Sequence, residues 1–545
     1  MRGMKEFFDK EKLKNLLTPD FFLSLVLLGV AIRFASEVPT WFDIPQTDDN
    51  RYMYGGVYFI EYLTGARAGW AADWSPLFQF WFFLIYRLVP DTTKIYYVSM
   101  QLVGILTPFF TFLLLRRMQV TRWLAAGTAA FFLASYAVWE AEPRVASFTS
   151  LVLVFLWWAI SFLKERWKRF ARLTFGSLLL AYSRPEFFLV TILLGFLVPI
   201  YLGFSLLKRR LTFHRGNYAF LAVSLGIILL FLMWWGVPFS TKRSIYAYGQ
   251  HYARTIKNCE ADEASSNMAW EDILAQDFGE VQSIGDAIRE NPIGFYNHLV
   301  CNIRIFPKRF LKVAFTSAWG SSWLFVRMLI AFIFFRLILS WNEIKQRLIW
   351  LWEQDFLLLG LLPLGVLMLD VFVIFPREHY LAIFSVTIWI LVVGLFGKLS
   401  SSEQKNWRQS IAIGLCLLLL TPSMGALVDF KIPQKPVLNT VETVRALGLK
   451  EPIRLFATHP FKKNRSEVYF DESYYHIGYK PAEIPFGEYI SEKQPNVVVI
   501  TEGGHEMKDD PSWIAFERNP QEFGFHQIPF DEGDGWGSWR IYVKN

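Results

Sequence analysis

The run FFLSLVLLGVAIRF begins at residue 21, and further long apolar runs recur up to residue 428. A helix needs about 20 residues to cross roughly 30 Å of hydrocarbon, and within that layer each backbone polar group must be satisfied by the segment itself. Repeated runs of this length restrict the chain to a bundle of spanning helices. The expected spans are 20–36, 94–115, 121–138, 148–163, 172–183 with its continuation, 187–207, 217–239, 314–340, 355–375, 381–397 and 409–428. Composition agrees: 53% of residues are apolar and only 19% charged, against about 25% charged in a soluble domain.

One run, WSPLFQFWFFLIYRLVP at 74–90, decides the orientation of everything after it. From Pro76 to Arg87 it covers about 18 Å as a helix, too short to span. Gln79 and Arg87 also interrupt its apolar surface. If it does not span, twenty-three Lys and Arg fall in the N-terminal stretch and the connections on one side, and six in the short connections on the other. Basic residues collect on the cytoplasmic side. The expectation is therefore eleven spans, an interfacial helix at 74–90, a cytoplasmic N-terminus and a C-terminus outside, in a bacterial-type inner or plasma membrane. No small-residue cleavage site follows the basic N-terminal stretch, so the first helix is expected to be a retained anchor.

Residues 1–428 then form the transmembrane module, with outer loops at 37–93 and 240–313. Residues 429–545 shift to mixed composition. There PIRLFA, NVVVIT and WRIYVK read as strands, and VLNTVETVRALG and PSWIAFERNP as helices, giving a small external α/β domain. In the second loop, IRENPIGFYNHLVCNIRIFPKRF reads as an amphipathic surface helix. The same loop holds Cys259 and Cys301. Their pairing is left open, because two cysteines in one loop establish neither proximity nor redox state.

On this topology the ionisable groups near the spans gather on the outer side: Arg33; Asp43, Asp48 and Asp49; Glu140, Glu142 and Arg144 in WEAEPR; Arg184 and Glu186 in SRPEF; and Arg377, Glu378, His379 and Tyr380 in FPREHY. Asp370 lies seven residues before Arg377, two helical turns away on the same face. Each group also has a plain structural role. Adjacent aspartates favour a helix N-terminus, arginines at span ends extend to the interface, and Asp370 with Arg377 makes an ion pair. Phosphate loops, HExxH and GxSxG are absent from the sequence, and its basic residues do not form a nucleic-acid pattern.

The arrangement resembles the C-type glycosyltransferase superfamily, most closely the branch of protein O-mannosyltransferases and the lipid A aminoarabinose transferase. The residues that carry the resemblance are Arg33, the acidic pair Asp48-Asp49 with Tyr52, the aromatic helix WSPLFQFWFFLIY, the basic pair in LLLRRM, SRPEF, and FPREHYLAIFS. Asp-Asp stands where the family commonly has Asp-Glu, and WEAEPR lacks a clear family Asp. The resemblance implies a polyprenyl-phosphate sugar donor, a hydroxyl-bearing acceptor and inversion at the anomeric carbon. It makes Asp48 the first choice for the base and Asp49 the second. It assigns the donor phosphate to Arg377, with Arg184, Lys242 and Arg243 behind it. Glu142 and Glu140 would orient acceptor or metal; members differ in using a divalent cation, which stays open here. The alternatives are a lipid or glycolipid transporter and a non-catalytic scaffold of the same fold.

Overall fold

The computed structural model describes residues 18–45, 48–67, 75–139, 144–207, 215–239, 241–259, 268–315, 341–397, 435–449, 451–458, 466–470, 474–476, 484–500, 507, 509–529 and 539–545. The principal helices begin with α1 (Pro19–Ala35), α2 (Asp48–Val57), α3 (Pro76–Leu88), α4 (Thr92–Arg117), α5 (Arg122–Leu133), α6 (Val145–Ile160), α7 (Arg166–Ala181), α8 (Phe188–Leu207) and α9 (Arg215–Trp235). They continue with α10 (Thr241–Cys259), α11 (Trp270–Phe278), α12 (Ile284–Glu290), α13 (Pro292–Phe315), α14 (Trp341–Glu353), α15 (Phe356–Val373) and α16 (Glu378–Phe396). The tail adds α17 (Pro436–Ala446), β1 (Ile453–Ala457), β2 (Tyr474–His476), α18 (Phe486–Lys493), β3 (Val497–Ile500), α19 (Pro511–Arg518), β4 (Phe525–Ile528) and β5 (Arg540–Lys544).

Among the described residues, six segments are helical, long and apolar enough to cross a membrane: Pro19–Trp41, Thr92–Arg117, Pro185–Phe204, Tyr218–Trp235, Phe356–Val373 and Glu378–Phe396. The chain has the make-up of a helical integral membrane protein. The expected spans at 314–340 and 409–428 lie almost wholly outside the described residues. The expected span at 121–138 breaks at Ala134, where the Trp139 indole donates to Leu133 O at 2.7 Å. The amphipathic helix of the second loop is two helices, parted at Asn291, which ends α12.

The chain forms two compact units: residues 1–35, 71–77 and 102–428, and residues 36–70, 78–101 and 429–545. In the first, α16 is the centre, with thirteen of its residues from His379 to Val393 buried, besides Gly394. Helices α6, α13 and α15 pack around it. Gly360 lets α15 approach closely, since a Cβ there would stand 2.7 Å from Trp157 and 2.9 Å from Leu391. At the pole where α15 begins and α16 ends, charges are paired, Asp355 and Arg169 buried and the others partly exposed. Asp355 meets Arg169 at 2.7 Å and Arg166 at 2.8 Å, and Asp20 meets Arg122 at 2.6 Å and Arg116 at 3.0 Å. Removing one partner of such a pair leaves an uncompensated charge, which is why they occur together.

The second unit is built on a five-stranded sheet of order β2-β1-β3-β5-β4. Strands β2, β1 and β3 run parallel, while β5 and β4 are antiparallel to their neighbours. Residues alternate across a strand. Phe456, Val498, Ile500 and Tyr542 join Phe486 and Tyr489 of α18 and Trp513 and Phe516 of α19 in one core. Asp510 caps α19 and also accepts from Phe486 N at 2.7 Å, fixing the starts of both helices. The strands and helices expected at β1, β3, β5, α17 and α19 are all observed.

Candidate functional site

The polar groups of interest in the first unit lie where α15 ends and α16 begins, and their placement starts with how α15 is closed. A helix ends with four carbonyls lacking partners. Here Asn302 Nδ2 donates to Phe372 O at 2.7 Å, and His298 Nε2 lies 2.9 Å from Val373 O, both side chains coming from α13. His298 is buried, and burial depresses its pKa to about 4, so the ring is neutral and can donate at Nε2. The chain turns over Ile374–Pro376 and enters α16 with Arg377 as N-cap. The helix therefore does not run from Asp370 to Arg377, and the two-turn relation between them fails. Asp370 instead stands in the electrostatic field of Glu186 and Arg184.

Arg184 comes from the turn between α7 and α8. That turn is pinned by buried hydroxyls: Ser75 donates to Ser183 O at 2.6 Å, Thr149 and Ser183 hydroxyls meet at 2.6 Å, and Tyr182 donates to Gly236 O at 2.6 Å. The Arg184 guanidinium pairs with Glu186 and lies 4.3 Å from the Tyr380 ring centre. Arg184, Glu186, Asp370, Tyr380 and Arg243 line a cavity of about 520 Å³ whose remaining walls include Phe188, Leu189, Ile192, Phe239 and Leu369. Arg184 Nε, Glu186 Oε2 and Asp370 Oδ2 are buried without hydrogen-bond partners among the described residues. A cavity with aliphatic and aromatic walls and an unsatisfied polar corner suits an amphiphile.

A second cavity of about 290 Å³ has a different lining: Gln250, His251, Ala253, Arg254 and Lys257 of α10, with Met268, Trp270 and Arg377. Arg377 and Arg184 thus line different cavities. His251 is only 3% exposed and stacks on Phe375 with ring centres 5.7 Å apart. Burial lowers its pKa well below the usual range, reinforced by Arg377, Arg254, His298 and Arg184. Helix α10 is held to α13 by a disulfide between Cys259 and Cys301 and by Thr255, 3.4 Å from Asn302 Oδ1. The open question of that pairing is thereby answered.

The other expected residues fall as follows. Lys242 and Arg33 are exposed, on α10 and the last turn of α1. His379 is buried against the Tyr380 ring at 4.3 Å. Glu140 and Glu142 lie outside the described residues. Asp48 and Asp49 belong to the second unit, where they form the first turn of α2; carboxylates there are favoured by the helix dipole. Asp49 is fully buried and Asp48 half-buried. Next to them, Asn50 Oδ1 lies 2.7 Å from the Tyr469 hydroxyl, which is also 2.8 Å from Pro45 O. Asp43 accepts from Val437 N at 2.8 Å and Leu438 N at 3.0 Å, capping α17. Its burial outweighs those bonds and raises its pKa to about 6.

His251, Arg254 and Lys257 were not expected as site residues, and Glu186 was noted only as a charge near a span end. His251, Arg254 and Lys257 recur every three residues along α10, a spacing that keeps them within reach of one face. Among the described residues, no group of three or more His, Cys, Asp or Glu is placed to hold a metal ion. No family model matches the chain, and no curated protein does.

Proposed function

We propose that the chain is a membrane glycosyltransferase of the C-type superfamily. It would move a sugar from a polyprenyl-phosphate donor to a hydroxyl acceptor at the outer membrane face. The observation that carries the reading is the 520 Å³ cavity, apolar along its helical walls and charged at Arg184, Glu186, Asp370 and Arg243. The eleven-span topology, with 74–90 in the outer interface and the tail outside, belongs to the same proposal. It would set the α15–α16 turn on the outer side.

In this reading the polyprenyl chain lies along the apolar wall and its phosphate faces Arg243 and Arg184, since guanidinium binds phosphate through paired hydrogen bonds. The acceptor oxygen attacks the anomeric carbon, the bond from that carbon to the phosphate oxygen breaks, and the acceptor proton passes to a carboxylate base, the role for which the resemblance to the superfamily names Asp48. Inversion follows from attack opposite the leaving group. Asp48 is preferred over Asp49 as base because it is partly exposed, and a base must reach the proton that it removes.

The test is transfer of radiolabelled sugar from polyprenyl-phosphate donors in proteoliposomes. Wild type is expected to transfer, and Asp48→Asn to lose at least about 100-fold in turnover, the scale of a general base, while still binding donor. Equal turnover in Asp48→Asn and Asp49→Asn would remove both from the mechanism. An inert wild type that moves labelled lipid between leaflets would favour the transporter instead.

A further inference from the structure

We propose that the 290 Å³ cavity is an oxyanion site, separate from the amphiphile cavity, that takes the phosphate or carboxylate of a water-soluble anionic sugar. The lining supplies Arg254, Lys257 and Arg377, and among the described lining residues there is no carboxylate. His251 is the second observation. Its Nδ1 is buried without a hydrogen-bond partner among the described residues, although the ring is held flat on Phe375. A buried polar atom left unpaired costs about 1–3 kcal/mol. Nδ1 is itself covered, so a bound oxygen would reach it only if the ring shifts; a neutral imidazole with a proton on Nδ1 would then donate that hydrogen bond.

The lining is also preorganised. Gln250, His251, Arg254 and Lys257 fall on one side of α10 at spacings of one, three and three residues. That helix is fixed at its end by the disulfide from Cys259 to Cys301. Trp270 is fixed too: it lies so close to Gly249 that a Cβ there would stand 2.6 Å from the ring. Trp270 and Gln250 border the cavity beside the cations, which suits a sugar ring carrying an anionic group. The volume is about ten times the share of one liquid water, more than a bare phosphate fills. The chemistry differs from that of the first cavity, where Glu186 and Asp370 stand beside Arg184.

The proposal goes beyond the transferase reading, and its test does not depend on turnover. The purified full-length protein in detergent would be titrated with inorganic phosphate and with glucose 6-phosphate, following the thermal midpoint and heat of binding. Both are expected to bind, the sugar phosphate more tightly. Arg254→Gln should weaken both at least about tenfold and Arg254→Lys should recover part of the loss. His251→Phe keeps the stack, removes Nδ1 and should weaken binding by about fivefold. Arg243→Gln, in the other cavity, should leave it unchanged. Absence of binding to wild type would overturn the proposal, and so would loss in Arg243→Gln with retention in Arg254→Gln. Competition for bound phosphate by geranylgeranyl phosphate but not by glucose 6-phosphate would also overturn it, assigning the oxyanion to the lipid donor.

Discussion

Two helix ends, one in each unit, are closed by side chains from distant parts of the chain, and they use opposite chemistry. The C-terminus of α15 presents carbonyls, and a neutral His298 with Asn302 donates to them. The N-terminus of α17 presents amides, and Asp43 accepts from two of them. His298 is buried and Asp43 half-buried, and loss of water favours the neutral form of each, so it lowers the pKa of His298 and raises that of Asp43. The same physical cause therefore gives the two units opposite responses to acid.

The largest expected effect is the response of α15. The His298 pKa is about 4 in the folded chain against 6.5 in its absence. Its contribution is present above pH 6.5 and is lost as pH falls through 4, on the order of 3 kcal/mol in all. His251 acts in the same direction. Hydrogen exchange of peptides from 356–373 should speed up across that window, after correction for intrinsic rates. Unchanged protection would mean that His298 is not neutral in the fold.

Next comes Asn302→Ala, which strips the donor from Phe372 O. A buried carbonyl left unpaired costs about 2 kcal/mol, and the loss should appear in α15 and not in α17. In the other unit, Asp43→Ala removes an N-cap, worth about 1 kcal/mol, and should raise exchange only in 436–446. The smallest effect sharpens the contrast most. The raised Asp43 pKa gives a contribution that is present below about pH 4 and is lost as pH rises through 6. Protection of α17 should thus improve on acidification while that of α15 declines, and Asp43→Asn should abolish the trend in α17 alone. Parallel trends in both helices would break the comparison.

These contrasts bear on how much was legible in the sequence. Apolar runs located the six long apolar helices seen among the described residues, because length and hydrophobicity together mark a segment able to span. The tail strands β1, β3 and β5 announced themselves through dense β-branched and aromatic residues. Strand β2 did not, being three residues long, and α18 was missed although Phe486, Tyr489 and Ile490 carry a helical spacing. Arg184, Asp370, Tyr380 and Arg243 were each visible as charged or polar groups near span ends, but nothing in their positions along the chain says that they share a cavity. The Asp370–Arg377 relation failed because a helix was assumed to continue through Ile374–Pro376. The α10 cluster was hidden for another reason: charged residues are ordinary in an outer loop, and only packing against Phe375 and Trp270 distinguishes these.

The Tyr469 hydroxyl has a consequence for biogenesis. It reaches Pro45 O across 424 positions and Asn50 across 419, and Asn50 adjoins the acidic pair of α2. A ribosome delivers the first loop long before it delivers Tyr469. The carboxylates at Asp48 and Asp49 must therefore wait, without that neighbour, until most of the chain has been inserted. A chain arranged this way acquires its finished acidic segment only when translation is nearly over, so a truncated or stalled product would carry the membrane helices without a completed first loop.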